Sequence, residues 1–198
     1  MANDGVDKGR RRFLTATTAV VGSAGLAVAA IPFIKSWQPS ARAKTAGAPV
    51  EADISKLEVG QMVMYEWRGQ PIWIVQRTPE QLEVLPSLDP KLKDPNSENG
   101  DQQPAFAQNG YRSRKPETLV LVGLCTHLGC APKLYPELTP EPFDADWKGG
   151  FFCPCHKSRF DMAGRVFDGV PAPTNLVVPP YYFIDDNHIM IGLSEGAA

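Results

Sequence analysis

All four cysteines of the chain and two of its three histidines lie in two short stretches. The first box is Cys-Thr-His-Leu-Gly-Cys at residues 125–130, and the second box is Cys-Pro-Cys-His-Lys-Ser at residues 153–158. Thiolate sulfur and imidazole nitrogen are common ligands of zinc and iron in proteins. Such clustering in 198 residues is improbable by chance, so the two boxes predict a site.

Three kinds of site are compatible with these residue types. Four cysteines could form two structural disulfides and leave the histidines incidental. Cysteine and histidine together could also bind a tetrahedral zinc ion. The third kind is a Rieske-type 2Fe–2S centre, in which two histidines replace two cysteines on one iron. A redox-active CxxC pair is excluded, because the second box reads Cys-Pro-Cys.

The two boxes resemble the Rieske boxes CTHLGC and CPCHGS, with Lys157 in place of the usual glycine. The resemblance covers nearly the whole chain and is to Rieske iron–sulfur subunits of bacterial ubiquinol–cytochrome c reductase. It implies a mainly β fold of stacked antiparallel sheets, with a small cluster-binding subdomain at about residues 122–175. It also implies one N-terminal transmembrane helix.

The resemblance also implies roles for single residues. One 2Fe–2S cluster would be held by two cysteines on one iron and two histidines on the other, namely Cys125, Cys153, His127 and His156. The remaining cysteines, Cys130 and Cys155, would form a disulfide that ties the two loops together. The Ser158 hydroxyl would donate a hydrogen bond to a cluster sulfur and raise the potential.

Neutral imidazole ligands remove negative charge from such a centre and raise its potential, to roughly −150 to +300 mV for the class. By resemblance, the cluster takes an electron from ubiquinol, and the free nitrogen of His156 takes a proton. The electron then passes to a c-type cytochrome subunit, which contributes to the proton-motive force. The implied partners are the cytochrome b and c-type cytochrome subunits of a dimeric complex, contacted through an apolar tip that includes Leu128, Pro171 and Pro173.

Composition and charge limit the other interpretations. A chain of 198 residues allows one domain of about 150 residues with extra segments. Nineteen prolines and seventeen glycines favour a loop-rich, mainly β chain. The formal net charge of −2 argues against a nucleic acid partner.

The N-terminal region predicts a membrane anchor. Residues 13–34 carry no charge, and as a helix of about 1.5 Å per residue they reach about 33 Å, enough to cross a bilayer core. The alternative is a signal peptide cleaved near residues 41–43. Residues 1–35 are therefore predicted to be signal and anchor, 36–50 a flexible hinge and 51–198 the head domain.

The preceding residues, Arg-Arg-Arg-Phe-Leu at 10–14, resemble a twin-arginine export signal. Basic residues before the span also favour a cytoplasmic N-terminus. Both features predict a single-pass protein of the bacterial inner membrane, anchored in lipid by its helix, with its head on the periplasmic side.

Hydrophobic patterns predict several strands of the head domain. Residues 61–77 read as a β-hairpin with its turn at 68–71, and 119–122 as a buried strand before the first box. Two further strands are predicted at 176–178 and 181–184. The stretch 86–117 contains five prolines and resembles the insertion of quinol-oxidising Rieske subunits, which carries a helix and a loop. The third histidine, His188, is predicted to be a surface residue near a hairpin turn.

Three other functions share some of these features. A Rieske subunit of another periplasmic oxidoreductase, such as arsenite oxidase, also has an export signal and paired boxes, but the long insertion argues against it. Soluble Rieske ferredoxins generally lack the anchor and the second cysteine of each box. A zinc or disulfide interaction domain would give no Rieske signal in the EPR spectrum of the reduced protein.

Phe160 is a second departure from the family pattern, since many members have a tyrosine there that hydrogen-bonds a cysteine sulfur. We expect the Phe160→Tyr variant to have a higher midpoint potential than the unchanged protein, because the added donor stabilises the reduced centre. A redox titration of both proteins checks this, and an unshifted potential in the variant would contradict it.

Overall fold

The computed structural model describes residues 5, 7–40 and 47–194. The chain divides into two compact units, Met1–Thr45 and Ala46–Ala198. The described part of the first unit contains one helix, and that of the second contains three three-stranded antiparallel sheets and one α-helix. These sheets confirm the predicted mainly β fold.

Helix α1 spans Lys8–Ser36, and its 29 residues correspond to about 44 Å at 1.5 Å per residue. The Asp7 side chain begins it by accepting hydrogen bonds from the backbone N–H groups of Gly9 and Arg10. Its most apolar 18-residue stretch has a mean hydropathy of 1.8, and none of the helix residues is buried against other described residues. The helix is therefore long and apolar enough to span a membrane.

In the described part of the second unit, nine short strands form the sheets. In chain order the strands are β1 Val50–Asp53, β2 Met62–Trp67, β3 Gln70–Gln76, β4 Thr118–Val122, β5 Lys133–Tyr135, β6 Gly150–Phe152, β7 Arg159–Phe160, β8 Tyr181–Phe183 and β9 His188–Ile191. Two sheets have the strand orders β1-β9-β8 and β2-β3-β4. The third sheet, β5-β6-β7, consists of strands that lie close to the two boxes in sequence.

The predicted hairpin is formed by β2 and β3, which pair from Met62 with Val75 to Trp67 with Gln70. Arg68 and Gly69 make a two-residue turn, and both have positive φ, of 53° and 71°. Turns with this backbone match the right-handed twist of the strands they connect, and glycine adopts the conformation without steric cost.

A continuous core joins the second and third sheets. Every residue of β4 is buried, which confirms the strand predicted before the first box. Trp73 of β3 stacks on Phe151 of β6 with ring centroids 5.3 Å apart. The Trp73 indole lies where a Cβ atom at Gly123 would be, so a side chain at Gly123 would displace the ring. The third sheet is thereby fixed to the rest of the head.

The stretch between β3 and β4 contains helix α2, Pro79–Leu88. A capping box between Thr78 and Gln81 begins the helix, and it starts seven residues before the predicted insertion. The remainder forms three single turns of 3₁₀ helix, Asp89–Lys91, Gly100–Gln102 and Ala105–Ala107. The segment between β3 and β4 therefore contains both the helix and the irregular part that the resemblance implied, but seven of the ten helical residues precede the predicted start of the insertion at residue 86.

Three buried arginines connect this insertion to the turn at 161–165. Arg77 donates to the carbonyl oxygen of Tyr111 in the insertion and to that of Met162 in the turn. Arg112 of the insertion donates to the carbonyl oxygens of Ala163 and Gly164. Arg165 of the turn donates to Asp89 and to the Pro95 carbonyl in the insertion, and also to the Asp161 carboxylate. Burial lowers the pKa of Arg77 and Arg112 to about 10, which leaves both guanidinium groups charged at neutral pH. Buried charges are stable only with such partners.

The strand predicted at residues 176–178 is absent from the structure. The backbone of this segment bonds to three separate parts of the chain: Leu176 donates to Gly164, Val177 accepts from Val122, and Val178 donates to Gln102. The apolar side chains that suggested a strand are buried or half-buried, but no single neighbouring strand pairs with them. The prediction for 181–184 is confirmed by β8, which pairs with β9.

Candidate metal centre

The two boxes fold into loops with the same backbone pattern. In the first loop, the Cys125 N–H donates to the Cys130 carbonyl at 2.7 Å, and the Gly129 N–H donates to the Cys125 carbonyl at 2.9 Å. In the second loop, Cys153 and Ser158 form the equivalent 2.8 Å bond, and Lys157 donates to the Cys153 carbonyl at 2.9 Å. The backbone N–H and carbonyl of the first cysteine therefore close each loop by hydrogen bonds. The residues between the first and last positions of each loop project toward the surface.

The fifth residue of each loop has a left-handed backbone. Gly129 has a φ of 77° and Lys157 a φ of 63°. This conformation costs a residue with a side chain about 1–2 kcal/mol, whereas glycine adopts it freely. Lys157 therefore adopts the conformation that suits glycine, at an energetic cost. Its exposed ammonium adds a cation beside His156.

The four cysteines form two pairs with different chemistry. Cys130 and Cys155 are joined by a disulfide across the loops, with Cα atoms 6.7 Å apart. Cys125 and Cys153 are free thiols that are 3% and 2% exposed. The structure therefore contradicts the alternative of two structural disulfides.

The two histidines of the boxes meet at the surface. Their ring centroids are 4.8 Å apart, and the ring planes are nearly perpendicular, at 87°. His127 is half-buried and His156 is exposed. The second loop therefore presents an imidazole to solvent next to a pair of buried thiols.

Cys125 lies in an environment that suits a metal-bound thiolate. Burial is the main cause that raises the pKa of its thiol, and the neighbouring Cys153 raises it further. Hydrogen bonds from the His127 backbone and the Ser158 side chain act in the opposite direction. These donors stabilise negative charge on the sulfur, so the site favours a thiolate once a cation offsets its burial.

A proline-rich segment, residues 168–175, covers both loops. The Ala172 N–H donates to the Ser158 hydroxyl at 3.0 Å, and the Thr126 hydroxyl donates to the Thr174 carbonyl at 2.7 Å. Ala172 is fully buried, while Pro171 and Pro173 on either side of it are exposed.

The exposed apolar residue of the first loop, Leu128, has 71% of its surface open to solvent. The structure thus brings all the residues predicted for the site into the two loops and the covering segment, with Leu128, Pro171 and Pro173 on the outside. Whether these three residues contact a partner stays a prediction.

The sulfur atoms of Cys130, Cys153 and Cys155 lie within 4.8 Å of one another. Two of these sulfurs are bonded to each other in the disulfide and cannot act as thiolates. A zinc site with these three cysteine ligands is therefore unsuitable here. The free thiols of Cys125 and Cys153 and the imidazoles of His127 and His156 are the ligand types of the predicted centre, and their role as its ligands stays a prediction.

His188 lies outside this site, as predicted. It belongs to β9, and its ring contacts the Asp185 carboxylate at 2.9 Å. That carboxylate raises the pKa of His188. Phe160 is fully buried in β7, so an added hydroxyl at this position would have to find its partner inside the core.

Sequence reasoning did not find the residues that hold the covering segment in place. Lys93 donates to two of its carbonyl oxygens, and Asn175 connects Val166 to Asp94. Asn175 belongs to the sequence Pro-Ala-Pro-Thr-Asn-Leu at 171–176, which is part of the resemblance, but its contacts were not predicted. No spacing or motif marks Lys93, because its partners are distant in sequence.

Comparisons with known proteins identify relatives over the full chain. The family described as "Rieske [2Fe-2S] domain" matches residues 97–181, and "Ubiquitinol-cytochrome C reductase Fe-S subunit TAT signal" matches residues 1–40. The ubiquinol-cytochrome c reductase iron-sulfur subunit of Allochromatium vinosum is 57% identical over 100% of this chain and 95% of its own. The subunit of the same name from Blastochloris viridis is 43% identical, over 96% and 97%.

A solved structure titled "Hyperthermophilic respiratory Complex III" is also similar. Its chain is 23% identical, with a TM-score of 0.47, and the match covers 88% of this chain and 98% of that one. The full-length relatives favour the quinol–cytochrome c reductase interpretation over the arsenite oxidase one. The Rieske domain implies one 2Fe–2S cluster.

Removal of the disulfide should loosen both loops. For the variant Cys130→Ser/Cys155→Ser we expect the free energy of unfolding to fall by about 2–4 kcal/mol, because the unfolded chain is no longer cross-linked over a separation of 25 residues. Urea unfolding followed by tryptophan fluorescence measures this.

Treatment with dithiothreitol is the control for this experiment. It should lower the stability of the unchanged protein to that of the variant and leave the variant unaffected. Equal stability of the oxidised protein and the variant would show that the disulfide does not stabilise the fold.

Proposed function

The chain belongs to the Rieske iron–sulfur subunits of ubiquinol–cytochrome c reductase, and we propose that it carries electrons from ubiquinol to a c-type cytochrome subunit through a tip centred on His156. The observation that carries this proposal is the position of that ring: it is exposed, while the thiols beside it are buried. A partner can therefore contact the His156 imidazole at the surface, whereas the sulfur atoms of Cys125 and Cys153 are buried.

The four free ligand atoms of the loops would hold the cluster. Cys125 and Cys153 would bind the inner iron from the buried side, and His127 and His156 the outer iron from the exposed side. The exposure of each residue supports this division. When bound, the cluster supplies a one-electron carrier whose potential is raised by its two neutral ligands.

His156 would accept the proton of the quinol. A ligand imidazole uses one ring nitrogen for the metal and keeps the other for a hydrogen bond. Because the ring is exposed, its second nitrogen can meet a quinol hydroxyl bound in the cytochrome b subunit. When the electron passes on to the c-type cytochrome subunit, the proton on the second nitrogen of His156 would leave as well. Electron transfer and proton transfer would therefore be coupled.

The exposed apolar residues around His156 would form the docking surface. Leu128, Pro171 and Pro173 project from rigid backbone, since the loops are closed by hydrogen bonds and proline restricts its own φ. Rigid apolar groups lose little conformational entropy on contact. The same surface would engage the cytochrome b subunit and then the c-type cytochrome subunit.

The N-terminal helix would anchor the chain in the membrane. The family match over residues 1–40 and the apolar helix fit a membrane-anchored subunit of a respiratory complex. We infer a single-pass protein with its head on the periplasmic side, residues 1–35 as signal and anchor, and 36–50 as a hinge that lets the 51–198 head move between partners in a dimeric complex. The hinge falls partly outside the described residues.

The ligand role of His156 can be tested in the assembled complex. We expect His156→Gln to abolish both the Rieske EPR signal of the reduced protein and quinol-dependent reduction of cytochrome c, because the amide cannot replace the imidazole. His188→Gln should keep both properties, since His188 lies in the β8–β9 hairpin and its ring contacts the Asp185 carboxylate. A normal EPR signal in His156→Gln would contradict the ligand assignment.

The docking role of Leu128 needs a variant that keeps the cluster. We expect Leu128→Glu to keep the EPR signal and to slow quinol-dependent cytochrome c reduction by about tenfold or more, a loss of about 1.4 kcal/mol of transition-state stabilisation, because a carboxylate opposes burial at the interface. Ile184, which is exposed in the head outside the two loops, gives the matched control Ile184→Glu. Equal rates in the two variants would remove Leu128 from the docking surface.

A further inference from the structure

Lys93, in the insertion, contacts the segment that covers the cluster-binding loops. Its ammonium donates to the carbonyl oxygen of Val170 at 3.0 Å and to that of Ala172 at 2.8 Å. Val170 precedes Pro171 and Ala172 precedes Pro173 in the sequence. One cation therefore holds the peptide groups before Pro171 and after Ala172.

The backbone around Lys93 is itself fixed against this segment. The Lys93 N–H donates to the Val166 carbonyl at 3.1 Å, and the Asp168 N–H donates to the Lys91 carbonyl at 2.8 Å. Leu92 and Phe167 pair between these two bonds as an isolated antiparallel bridge. The backbone from which the Lys93 side chain extends is therefore hydrogen-bonded to the residues that lead into the proline-rich segment.

Ala172 is the residue whose position matters for the site. Pro171 and Pro173 have no backbone N–H, so Ala172 supplies the backbone donor of this stretch. That N–H points at the Ser158 hydroxyl, 3.0 Å away, and both residues are fully buried. The proline on each side leaves no neighbouring donor to replace it if the segment shifts.

The bond from Ala172 decides how Ser158 uses its one hydrogen. A hydroxyl that accepts from an N–H keeps its own hydrogen for another acceptor. In the proposed centre that acceptor would be a cluster sulfur, which is the role that the resemblance gives to Ser158. Hydrogen bonds in series strengthen one another, so the donor at Ala172 would also strengthen the bond that Ser158 gives to the cluster sulfur.

We propose that Lys93 is a positioning residue for the cluster: it holds Ala172 against Ser158, and thereby sets the midpoint potential through the hydrogen bond that the Ser158 hydroxyl would give to a cluster sulfur. The inference rests on the proposed function, since it requires a cluster held by the two loops. It makes the insertion a part of the redox site, although no residue of the insertion is a ligand.

A simple charge effect of Lys93 would act differently. A cation near the cluster raises the potential through space whether or not Ser158 has a hydroxyl. A positioning effect passes through that hydroxyl and disappears when it is removed. Lys91 offers a matched charge control, because it lies two residues away and its ammonium pairs with Asp146 at 2.9 Å.

The test is an EPR-monitored redox titration of the cluster-loaded full-length protein in its complex. In Lys93→Met we expect the ratio of reduced to oxidised centre at a fixed ambient potential to fall about threefold to tenfold, which is a drop of about 28–59 mV for a one-electron couple. Lys93→Arg, which keeps charged donors, should restore most of the potential. Lys91→Met should leave it unchanged.

The same titration in a Ser158→Ala background separates positioning from charge. Lys93→Met should cause no further drop there, as expected when two residues act through one hydrogen bond. An unchanged potential in Lys93→Met, or an equal drop with and without the Ser158 hydroxyl, would overturn the inference. If Lys93→Met fails to assemble the cluster, Lys93→Gln replaces it, and the same two outcomes decide.

The two proposals fail in different ways. Absence of any Rieske signal in the unchanged protein would contradict the proposed function itself. A normal signal with a potential that does not respond to Lys93 would contradict the positioning role alone.

Discussion

The head domain depends on the hydrogen bonding of three buried guanidinium groups around one turn. Arg77, Arg112 and Arg165 come from separate parts of the chain, and each donates four hydrogen bonds, mostly to backbone carbonyls. Asp161 is the fully buried carboxylate of this group. A buried charge without partners is very unfavourable, so the insertion and the 161–165 turn have to stay together. That turn follows the second box directly, and it gives the second loop a fixed base.

In the two loops, the proposed ligands that have to be held rigidly are buried, and one ligand that has to be accessible lies at the surface. The backbone bonds within each loop, the Cys130–Cys155 disulfide and the proline-rich segment hold the thiols in the interior. The imidazole of His156 remains at the surface. A centre that exchanges electrons with large partners benefits from this arrangement, because the buried ligands keep their geometry while the exposed ligand makes the contact.

Lys157 illustrates a conflict between local and global preference. Its φ of 63° suits glycine, and the family resemblance gives glycine at this position. The loop keeps the conformation because the bond from the Lys157 N–H to Cys153 and the disulfide at Cys155 fix the backbone before it, and the Cys153–Ser158 bond fixes the backbone after it. Departures of this kind concentrate at functional sites, and this one adds a positive charge next to the ring that would meet the quinol.

The sequence by itself determined the ligand types and their spacing, the apolar N-terminal helix, the 62–76 hairpin and the buried strand before the first box. These features depend on residues that are close together in the chain, so composition and periodicity reveal them. Only the tertiary structure decided that Cys125 and Cys153 are the free pair, a point that residue types alone left open between disulfides and metal. It also decided that residues 176–178 pair with three different segments and that Lys93 reaches the proline-rich segment. Their partners lie up to about 80 residues away, and no local pattern specifies which distant carbonyl a buried donor will meet.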